Sequence, residues 1–529
     1  MSASAGGGSS AHSRRLERSP SDRLPPERRP TTPALEPYTR RLLGNVRPIV
    51  VANRAPLVLE PADPLLGRPE RLVKGSGGLV TALSSLAAET DALWVAAARD
   101  EQDRNLAARG DPAHLRTADG TDYRVAFIQP DAEAYDLYYN VISNPLLWFI
   151  QHYLWDLARE PVVDASTRHA WRDGYVAINR MFADRVVREA EASDRPPLVL
   201  IQDYQLYLVA RMVRERVPEV KLQHFVHIPW PTPQYWKILP KPIRDEIVHG
   251  LLGNDVVGFQ TSRDVRNFLL TCEENLGLGV DLRERTVYYQ GRAVWVRHYP
   301  ISIDIPSFAE QVVDPRVLDE EHRIESWRPE KLILRVDRTD LSKNIVRGFL
   351  AYERMLETHT DLHRHVQFWA FLQPSRQDIG DYRSYLGSVL SVAARINRRF
   401  SAGGWTPIRV EVEENMHKAI AAYKCYDVLL VNPIYDGMNL VAKEGPLCNT
   451  RNGVLVLSEN AGAHEEIGDF ALTVNPFDVD ETAEALFLGL VMDEPQKSAR
   501  AEKMREVIRS NDVTRWIGNQ LQDLRELIG

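Results

Sequence analysis

Short apolar runs alternate with longer amphipathic stretches along most of the chain. From Pro48 onward, these runs are rich in β-branched and aromatic residues: PIVVAN, ALWVAAA, YRVAFIQ, PLVLIQD, KLQHFVH and DVVGFQ. Helical patterns separate several of them. This alternation predicts βαβ units that build a mostly parallel, doubly wound sheet. We therefore expect a first Rossmann-like α/β domain over residues 47–303.

A second series of the same kind follows the stretch HYPISID. Its apolar runs are KLILRVD, VQFWAFLQ, IRVEVE, DVLLVN and GVLVLS, with helical patterns at 343–358 and 378–400. The series predicts a second Rossmann-like domain over residues 304–497, followed by a helical region at 498–529. Two such domains in tandem place ligands at the carboxyl ends of the strands, facing a central cleft.

The first 46 residues have a different character. They are rich in Ser, Gly, Pro and Arg and show no apolar periodicity. Such a segment cannot bury enough apolar surface to offset the entropy lost on ordering. We expect residues 1–46 to form a disordered tail.

Composition narrows the function classes. The 529 residues carry a net charge of -8, with a pI near 6.0, which gives no general electrostatic reason to bind nucleic acid or an anionic membrane. The three cysteines lack the paired spacing of a zinc site or a disulfide framework. No apolar run approaches the roughly 20 residues that cross a bilayer, and no hydrophobic signal core begins the sequence. These features predict a cytoplasmic protein.

A glycine cluster follows the first strand at a distance. Lys74 and the glycines Gly75, Gly77 and Gly78 stand directly before the helix-like stretch LVTALSSLAAE. A helix start with free backbone N–H groups can bind an anion. A flexible surface turn explains these glycines equally well, because the pattern is neither a Walker A loop nor a GxGxxG motif.

Two cationic residues follow the strand KLILRV. Arg338 ends that strand and Lys343 lies five residues later, where a helix begins. Together with the helix start, they can converge on a pyrophosphate and stabilise the charge that develops as a nucleoside diphosphate leaves. The alternative is a surface Arg and Lys paired with Asp337 and Asp340, and this motif alone does not separate the two.

The string DGMNLVAKE follows the strand DVLLVN. Gly437 permits a close backbone approach to a sugar, and Glu444 lies two helical turns beyond Asp436. A carboxylate at that distance can accept both hydroxyls of a ribose. An ordinary helix cap explains Asp436 but leaves the rest of the string unexplained, so a binding function is favoured.

Polar residues also end two strands of the first domain. Asp203 follows the strand PLVLIQ, and His227 follows HFV. In this topology, both face the cleft. A lone histidine at the end of a strand is more often structural than functional. The nearby Asp203 favours a functional role for His227 only modestly.

These residues resemble a known family. VVANR, GGLV, YYNVISNPLLW, QDYQL, HIPWP, VDR-TDLSK, PSRQD, DGMNLVAKE and VLVLSENAGAHEE occur in the order found in trehalose-6-phosphate synthases, over about residues 48–495. The resemblance implies a GT-B fold. It also implies a retaining hexosyltransferase that moves glucose from a sugar nucleotide to glucose 6-phosphate without a metal ion or other cofactor.

The resemblance assigns roles to individual residues. Arg338 and Lys343 would hold the diphosphate, Glu444 the ribose, and the amides of Asn439, Leu440 and Val441 the donor phosphate and sugar; Gly77 and Gly78 would also line the donor site. Asp436 and His227 would bind donor glucose hydroxyls, and Asp203 would face the acceptor. The acceptor phosphate and sugar would contact Arg54, Tyr139, Trp148 and Arg376. No nucleophilic side chain is expected near the anomeric carbon, so the leaving phosphate would take the acceptor proton.

Four positions depart from the family pattern. Gln202 and Gln205 replace the histidines of HDYH, Asn344 replaces the glycine after the lysine, and Tyr435 replaces an expected arginine. The strings KNIVRG and PSRQD are closest to actinobacterial relatives, some of which prefer GDP-glucose. GDP- and UDP-glucose therefore both stay open as donors. Glycerol 3-phosphate and a cyclitol phosphate stay open as acceptors.

A different class of function also fits the fold. A catalytically inactive GT-B module could act as a sugar-phosphate sensor, but such a module has no need to keep Arg338, Lys343 and Glu444, all of which are present. The expected ligands are thus a nucleotide-sugar donor and a phosphorylated small-molecule acceptor. We also expect a homo-oligomer.

Overall fold

The computed structural model describes residues 46–60, 71–75, 83, 92–117 and 121–528. The predicted tail lies outside these residues except for its last position. Within them, the strands form two large sheets and one small hairpin.

The strands of the amino-terminal half include every one that the apolar runs predict there. In chain order they are β1 (Arg47–Val51), β2 (Leu57–Glu60), β3 (Arg71–Lys74), β4 (Leu93–Ala97), β5 (Ala113–Arg116), β6 (Asp122–Ile128), β7 (Pro197–Gln202), β8 (Lys221–Phe225), β9 (Val256–Phe259), β10 (Gly279–Asp281), β11 (Thr286–Tyr289) and β12 (Arg292–His298).

The first sheet has a parallel centre and antiparallel edges. Its described strands lie in the order β10-β11-β12-β9-β8-β7-β1-β4-β6-β5, and β2 pairs only with β3. All pairs from β12 to β6 are parallel, whereas β10–β11, β11–β12 and β5–β6 are antiparallel. After β1, the chain first extends the sheet on one side with β4, β5 and β6, and then on the other side of β1 with β7, β8 and β9. This change of side creates the switch point where ligands bind in such sheets.

The second sheet is parallel throughout its described strands. These are β13 (Lys331–Arg338), β14 (Val366–Gln373), β15 (Ile408–Val412), β16 (Val428–Val431), β17 (Val454–Ser458) and β18 (Leu472–Val474). They lie in the order β15-β14-β13-β16-β17-β18, so the switch point falls beside β13. Both sheets have the doubly wound architecture that the sequence predicts.

Helices connect the strands in both halves. The α-helices around the first sheet are Glu101–Ala107, Ala132–Asp136, Trp148–Gln151, Ala165–His169, Ala177–Glu191, Val209–Arg214, Pro233–Trp236, Lys241–Leu251 and Ser262–Leu276. Those that follow are Ile305–Val312, Pro315–Trp327, Ile345–Thr358, Gly380–Phe400, Met416–Cys425, Val441–Cys448, His464–Ile467, Val479–Val491, Glu494–Ser510 and Val513–Ile528. Short 3₁₀ turns span Tyr204–Leu206, Leu341–Lys343, Thr360–Leu362 and Gly468–Phe470, and wider π-helical segments span Leu137–Leu147 and Ala170–Val176.

Each sheet is buried on both faces, which explains why its strands are apolar runs without polar alternation. In β1, Ile49 and Val51 pack on one face, while Val50 packs on the other. The apolar cluster around Val50 also contains Leu332 and Leu334 of β13. The two halves of the chain therefore share a continuous apolar core.

The helix Val513–Ile528 packs on the first sheet, although it follows the second in sequence. Trp516 meets Phe225 edge to face, with ring centroids 5.2 Å apart. The Gln223 amide donates a hydrogen bond of 2.7 Å to Gln520. The predicted boundary between residues 497 and 498 lies inside the preceding helix, Glu494–Ser510.

No helix in the described part of the chain combines the length and the apolar character needed to span a bilayer.

Candidate active site

The predicted site residues stand at the carboxyl ends of parallel strands. Asp203 follows β7 and His227 follows β8, whereas Arg338 ends β13 and Asp436 follows β16. Ligands bind to doubly wound sheets at this edge. The two halves share a core, and side chains from the carboxyl ends of both sets of strands come into contact.

The two halves approach one another closely at Gly437. A Cβ atom at this position would lie 2.0 Å from the backbone oxygen of His227, a distance that no side chain tolerates. Only glycine permits this contact. Gly437 therefore sets the spacing between the neighbouring Asp436 and the end of β8.

Two cations occupy the end of β13, as predicted. The Lys343 ammonium forms an ion pair with the Asp436 carboxylate, and both side chains are largely buried. The Arg338 side chain is exposed and makes neither a hydrogen bond nor an ion pair with any described residue; its guanidinium lies 5.7 Å from the Trp148 ring centroid. Arg338 thus offers its N–H donors to an anion.

The alternative pairing of these cations is wrong. Asp337 accepts a hydrogen bond of 2.7 Å from the buried Arg335, and Asp340 pairs with Arg376 at 3.0 Å. Neither carboxylate is paired with Arg338 or with Lys343. The two cations are therefore not neutralised by the nearest acids in sequence.

Asp340 joins the two sides of the cleft. Its fully buried carboxylate accepts hydrogen bonds from Arg376 (3.0 Å), Trp148 Nε1 (3.3 Å) and Ser342 (3.0 Å). Burial would raise the pKa of Asp340, but the charges of Arg376 and Arg338 outweigh it and hold the pKa at about 2. An ionised Asp340 thus fixes Trp148 and Arg376 against the loop that carries Lys343.

Arg335 supports the same loop from inside the second sheet. This fully buried side chain donates hydrogen bonds to Asp337, to Asn432 and to the backbone oxygen of Lys343, the last at 2.7 Å. No motif in the sequence predicts a functional role for Arg335. One signal was available, since an arginine inside the apolar run KLILRVD needs buried partners.

The predicted acceptor residues form one group. Arg376 lies over the Trp148 ring, 4.1 Å from its centroid, and donates a hydrogen bond to the Tyr204 hydroxyl at 3.3 Å. The exposed Arg54 reaches the Tyr139 hydroxyl at 3.4 Å. Burial alone would raise the pKa of Tyr139, but Arg376 and Arg54 outweigh it and lower the pKa. The group is therefore strongly cationic and suited to a phosphate.

A π-helical segment places two of these aromatic residues. Leu137–Leu147 contains Pro145, and the backbone of Asn144 leaves the helical region there, with φ −131° and ψ 97°. The Asn144 amide oxygen accepts a hydrogen bond of 2.6 Å from Tyr204. This anchor fixes the segment so that Tyr139 and Trp148 both reach the group around Arg376. Wide helical turns are frequent at functional sites.

Asp203 holds an unusual backbone conformation, with φ 72°. Its carboxylate accepts a hydrogen bond of 3.1 Å from the backbone N–H of His227, which ties the ends of β7 and β8 together. Burial raises the pKa of Asp203 to about 6, although Arg376 and Arg338 act in the opposite direction. The folded protein therefore holds the Asp203 proton more tightly than the unfolded chain.

This shift predicts a pH-dependent stability difference. Asp203→Asn keeps the oxygen that accepts from His227 and cannot ionise. The wild type loses stability as pH rises from about 4 through about 6, because Asp203 ionises at an unfavourable buried place. We expect the melting temperature of Asp203→Asn, relative to wild type, to rise over this range in a thermal melt.

The comparison cancels the contributions of the buried acids that the two proteins share. Burial also raises the pKa of Asp264 to about 6, and both proteins contain it. A melting-temperature difference that does not change between about pH 4 and pH 7 would contradict the raised pKa of Asp203.

The predicted donor loop precedes and opens a short helix. Asn439 has φ 69° and donates a hydrogen bond of 3.1 Å to Asp436. Leu440 precedes the helix and Val441 begins it. The N–H groups from Ala442 onward bond within the turn, whereas those of Leu440 and Val441 have no hydrogen-bond partner among the described residues. Glu444 accepts a hydrogen bond of 3.2 Å from Tyr423, and burial raises its pKa. The loop offers backbone donors and one carboxylate to a ligand.

The structure explains two departures from the family pattern. Asn344 has φ 59°, a left-handed conformation that asparagine tolerates better than most residues in place of glycine. Tyr435 packs against Tyr153, with ring centroids 4.4 Å apart, and Arg263 lies 5.5 Å from the Tyr435 ring. A tyrosine at 435 thus joins the two halves by ring packing.

Two predicted donor residues, Gly77 and Gly78, lie outside the described residues. Throughout the residues that the structure describes, no three or more His, Cys, Asp or Glu side chains are grouped to hold a metal ion. Positive charge at the cleft is supplied there by arginine and lysine side chains.

Comparisons with known proteins agree with this architecture. The family model for glycosyltransferase family 20 matches residues 46–526. Validamine 7-phosphate valienyltransferase of Streptomyces hygroscopicus subsp. jinggangensis is 29% identical over 479 residues, covering 90% of this chain and 94% of that protein. The UDP-forming α,α-trehalose-phosphate synthase of Pichia angusta is 32% identical over 500 residues, covering 91% and 99%.

A solved structure shows the same fold. The UDP-forming α,α-trehalose-phosphate synthase of Burkholderia xenovorans, in complex with glucose-6-phosphate, superposes with a TM-score of 0.74 at 30% identity, covering 90% of this chain and 99% of that one. The two doubly wound sheets are thus the two Rossmann-like halves of a GT-B fold. This chain is a glycosyltransferase enzyme and belongs to glycosyltransferase family 20.

Proposed function

We propose that this protein transfers glucose from a nucleoside diphosphate glucose to glucose 6-phosphate, with retention, and so forms trehalose 6-phosphate. The observation that carries the proposal is the pairing of two cationic groups across one cleft. Arg338 and Lys343 form one group at the end of β13, and Arg54 and Arg376 form the other with Tyr139 and Trp148. Each group suits one phosphorylated substrate.

The donor end fits a nucleotide sugar. Arg338 has no partner among the described side chains, so it can bind a diphosphate without breaking an existing ion pair. The helix start at Val441 adds backbone donors, and Glu444 supplies a carboxylate for ribose hydroxyls. Asp436, held by Lys343 and Asn439, can accept from a sugar hydroxyl beside them.

The acceptor end fits a sugar phosphate. Arg376 and Arg54 attract the phosphate, and the Trp148 ring packs against the Arg376 guanidinium and holds it in place. The Burkholderia xenovorans synthase was solved with glucose-6-phosphate, and its name and that of the Pichia angusta protein describe a UDP-forming reaction. These similarities favour glucose 6-phosphate and UDP-glucose for this chain.

The chemistry follows from these positions. The bond between the anomeric carbon and the diphosphate oxygen breaks as the acceptor hydroxyl oxygen bonds to that carbon from the same face. The acceptor proton passes to the leaving phosphate oxygen. Arg338 and Lys343 stabilise the negative charge that accumulates on the diphosphate, and Trp148 and Arg376 orient the acceptor.

A second acceptor class is favoured by one comparison. The validamine 7-phosphate valienyltransferase is similar over 90% of this chain, and its name gives a different phosphorylated compound, validamine 7-phosphate. Such a reaction would use the same donor cations and a different acceptor wall. Gln202, one of the departures from the family pattern, directly precedes Asp203, which the resemblance places at the acceptor, so a cyclitol phosphate is the alternative acceptor.

A substrate matrix tests the proposal. Purified protein is incubated with UDP- or GDP-glucose and with glucose 6-phosphate, glycerol 3-phosphate or a cyclitol phosphate, and products are identified by mass spectrometry. Each reaction is run in excess EDTA and in magnesium. We expect trehalose 6-phosphate in both, because side chains supply the stabilising charge. Product from a different acceptor only would replace the proposal with the alternative, and no product from any pair would contradict both.

A further inference from the structure

Both ring nitrogens of His227 are bonded to glutamine side chains. His227 Nε2 lies 3.0 Å from Gln202 Oε1, and His227 Nδ1 lies 3.5 Å from Gln260 Nε2. Gln202 ends β7, and Gln260 directly follows β9 on the other side of β8. The imidazole is thus held between the ends of its two neighbouring strands.

The backbone determines which nitrogen carries the proton. The Gln260 amide oxygen accepts a hydrogen bond of 2.9 Å from the backbone N–H of Ile301, so its NH₂ group must face His227. An amide NH₂ can only donate, and His227 Nδ1 therefore accepts. The single proton of the neutral ring then lies on Nε2, where it is donated to the Gln202 oxygen.

The surroundings of His227 do not favour a charged ring. The titratable neighbours are His224 and Asp203, and the Asp203 carboxylate is bonded to the backbone N–H of His227 rather than to its ring. The rings of Phe225 and Trp516 pack beside it. Burial, together with His224, lowers the pKa of His227 to about 3.

We propose that Gln202 is a positioning residue that, with Gln260, fixes His227 as the neutral imidazole with its proton on Nε2. Gln202 stands where the family pattern has a histidine, and unlike histidine it cannot titrate. With both ring nitrogens bonded to glutamine side chains, His227 then acts neither as an acid nor as a base. The role of His227 in the cleft rests on the proposed function, in which the leaving phosphate accepts the acceptor proton. The assignment of the tautomer does not rest on the proposed function.

Nuclear magnetic resonance of the wild type tests the tautomer directly. Protein labelled with ¹⁵N-histidine is recorded from about pH 5 to pH 8, the range in which an ordinary histidine titrates. The His227 signals are assigned by their loss in His227→Gln. We expect a protonated, pyrrole-type Nε2 and an unprotonated, pyridine-type Nδ1 throughout. A proton on Nδ1, or titration within this range, would overturn the proposal.

A charge substitution tests the part played by Gln202. Gln202→Glu places a carboxylate against Nε2, which favours the imidazolium, so His227 should titrate within the same range. Gln205→Glu is the matched control, because it adds the same charge to the same strand end without an existing bond to His227. Equal titration in both variants, or in neither, would contradict a specific role for Gln202.

These measurements need no substrate, so they are independent of the substrate matrix. If Gln202→Glu does not fold, the wild-type spectrum alone still decides the tautomer. If Gln202→Glu is active, its pH profile of kcat/KM should show an additional ionisation that the wild type lacks, since a charged His227 changes the charge of the cleft. A purely structural role for Gln202 would lower activity equally at all pH values.

Discussion

Arg338→Ala lowers turnover by about a hundredfold or more, while the affinity for the sugar nucleotide falls less. The leaving diphosphate carries more negative charge in the transition state than in the bound donor, so a guanidinium beside it stabilises the transition state preferentially. Removing one such donor costs about 3 to 4 kcal/mol in comparable sites. The exposed Arg338 has no described ion-pair partner, so its loss leaves no buried charge behind. Steady-state kinetics with both substrates varied measure the effect.

The control for Arg338 lies on the next helix. Arg354 is an exposed arginine that pairs with Asp480 and Glu357, away from the cleft. Arg354→Ala should keep near wild-type turnover, because exposed ion pairs contribute little. If Arg338→Ala also kept near wild-type turnover, with a native melting temperature, the assignment of Arg338 to the diphosphate would be wrong.

Asp340→Ala destabilises the protein by about 3 to 5 kcal/mol, the usual cost of breaking a buried ion pair from one side. The substitution leaves the Arg376 guanidinium without its carboxylate and removes the acceptor for Trp148 Nε1. The Michaelis constant for the phosphorylated acceptor should rise as well, because both side chains belong to the acceptor group. Denaturant unfolding and kinetics on the same preparation report the two effects.

The double variant Asp340→Ala/Arg376→Met is the control for this prediction. It removes both charges, so it should recover part of the lost stability without recovering activity.

The stability that Asp340 contributes depends on pH. The pKa of Asp340 is lowered to about 2, so this contribution is complete above the ordinary value of 3.8 and disappears as pH falls toward 2. A single variant within about 1 kcal/mol of wild type would contradict the role of Asp340.

The central strands were predictable because strands that are buried on both faces are continuous apolar runs in the sequence. KLILRVD and DVLLVN are apolar over a strand length and became β13 and β16. The antiparallel edge strands β10 and β11 were not predicted. β10 has three residues, none of them buried, and includes Asp281, whereas β11 has four residues with Tyr288 exposed, so neither strand forms a long continuous apolar run.

The candidate site was predictable where one motif held its members together. Arg338 and Lys343 lie on one turn, between β13 and the helix Ile345–Thr358. Asp436 and Glu444 do not lie two turns apart on one helix, as predicted, because the helix begins only at Val441. The partners of these groups were not predictable. Asp340 pairs with Arg376, 36 residues away, and His227 bonds to Gln202 across two strands. Such contacts are decided by how the sheets pack, which spacing along the chain does not encode.

The helix Val513–Ile528, at the end of the described chain, packs on the first sheet. A ribosome makes this helix only after every strand of both sheets, and domains generally fold as they emerge. Until then, Phe225 lacks the Trp516 ring and Gln223 lacks Gln520, so an apolar patch of the first sheet faces water during synthesis. The growing chain thus passes through a stage in which this face of the first sheet is not yet covered by the helix Val513–Ile528.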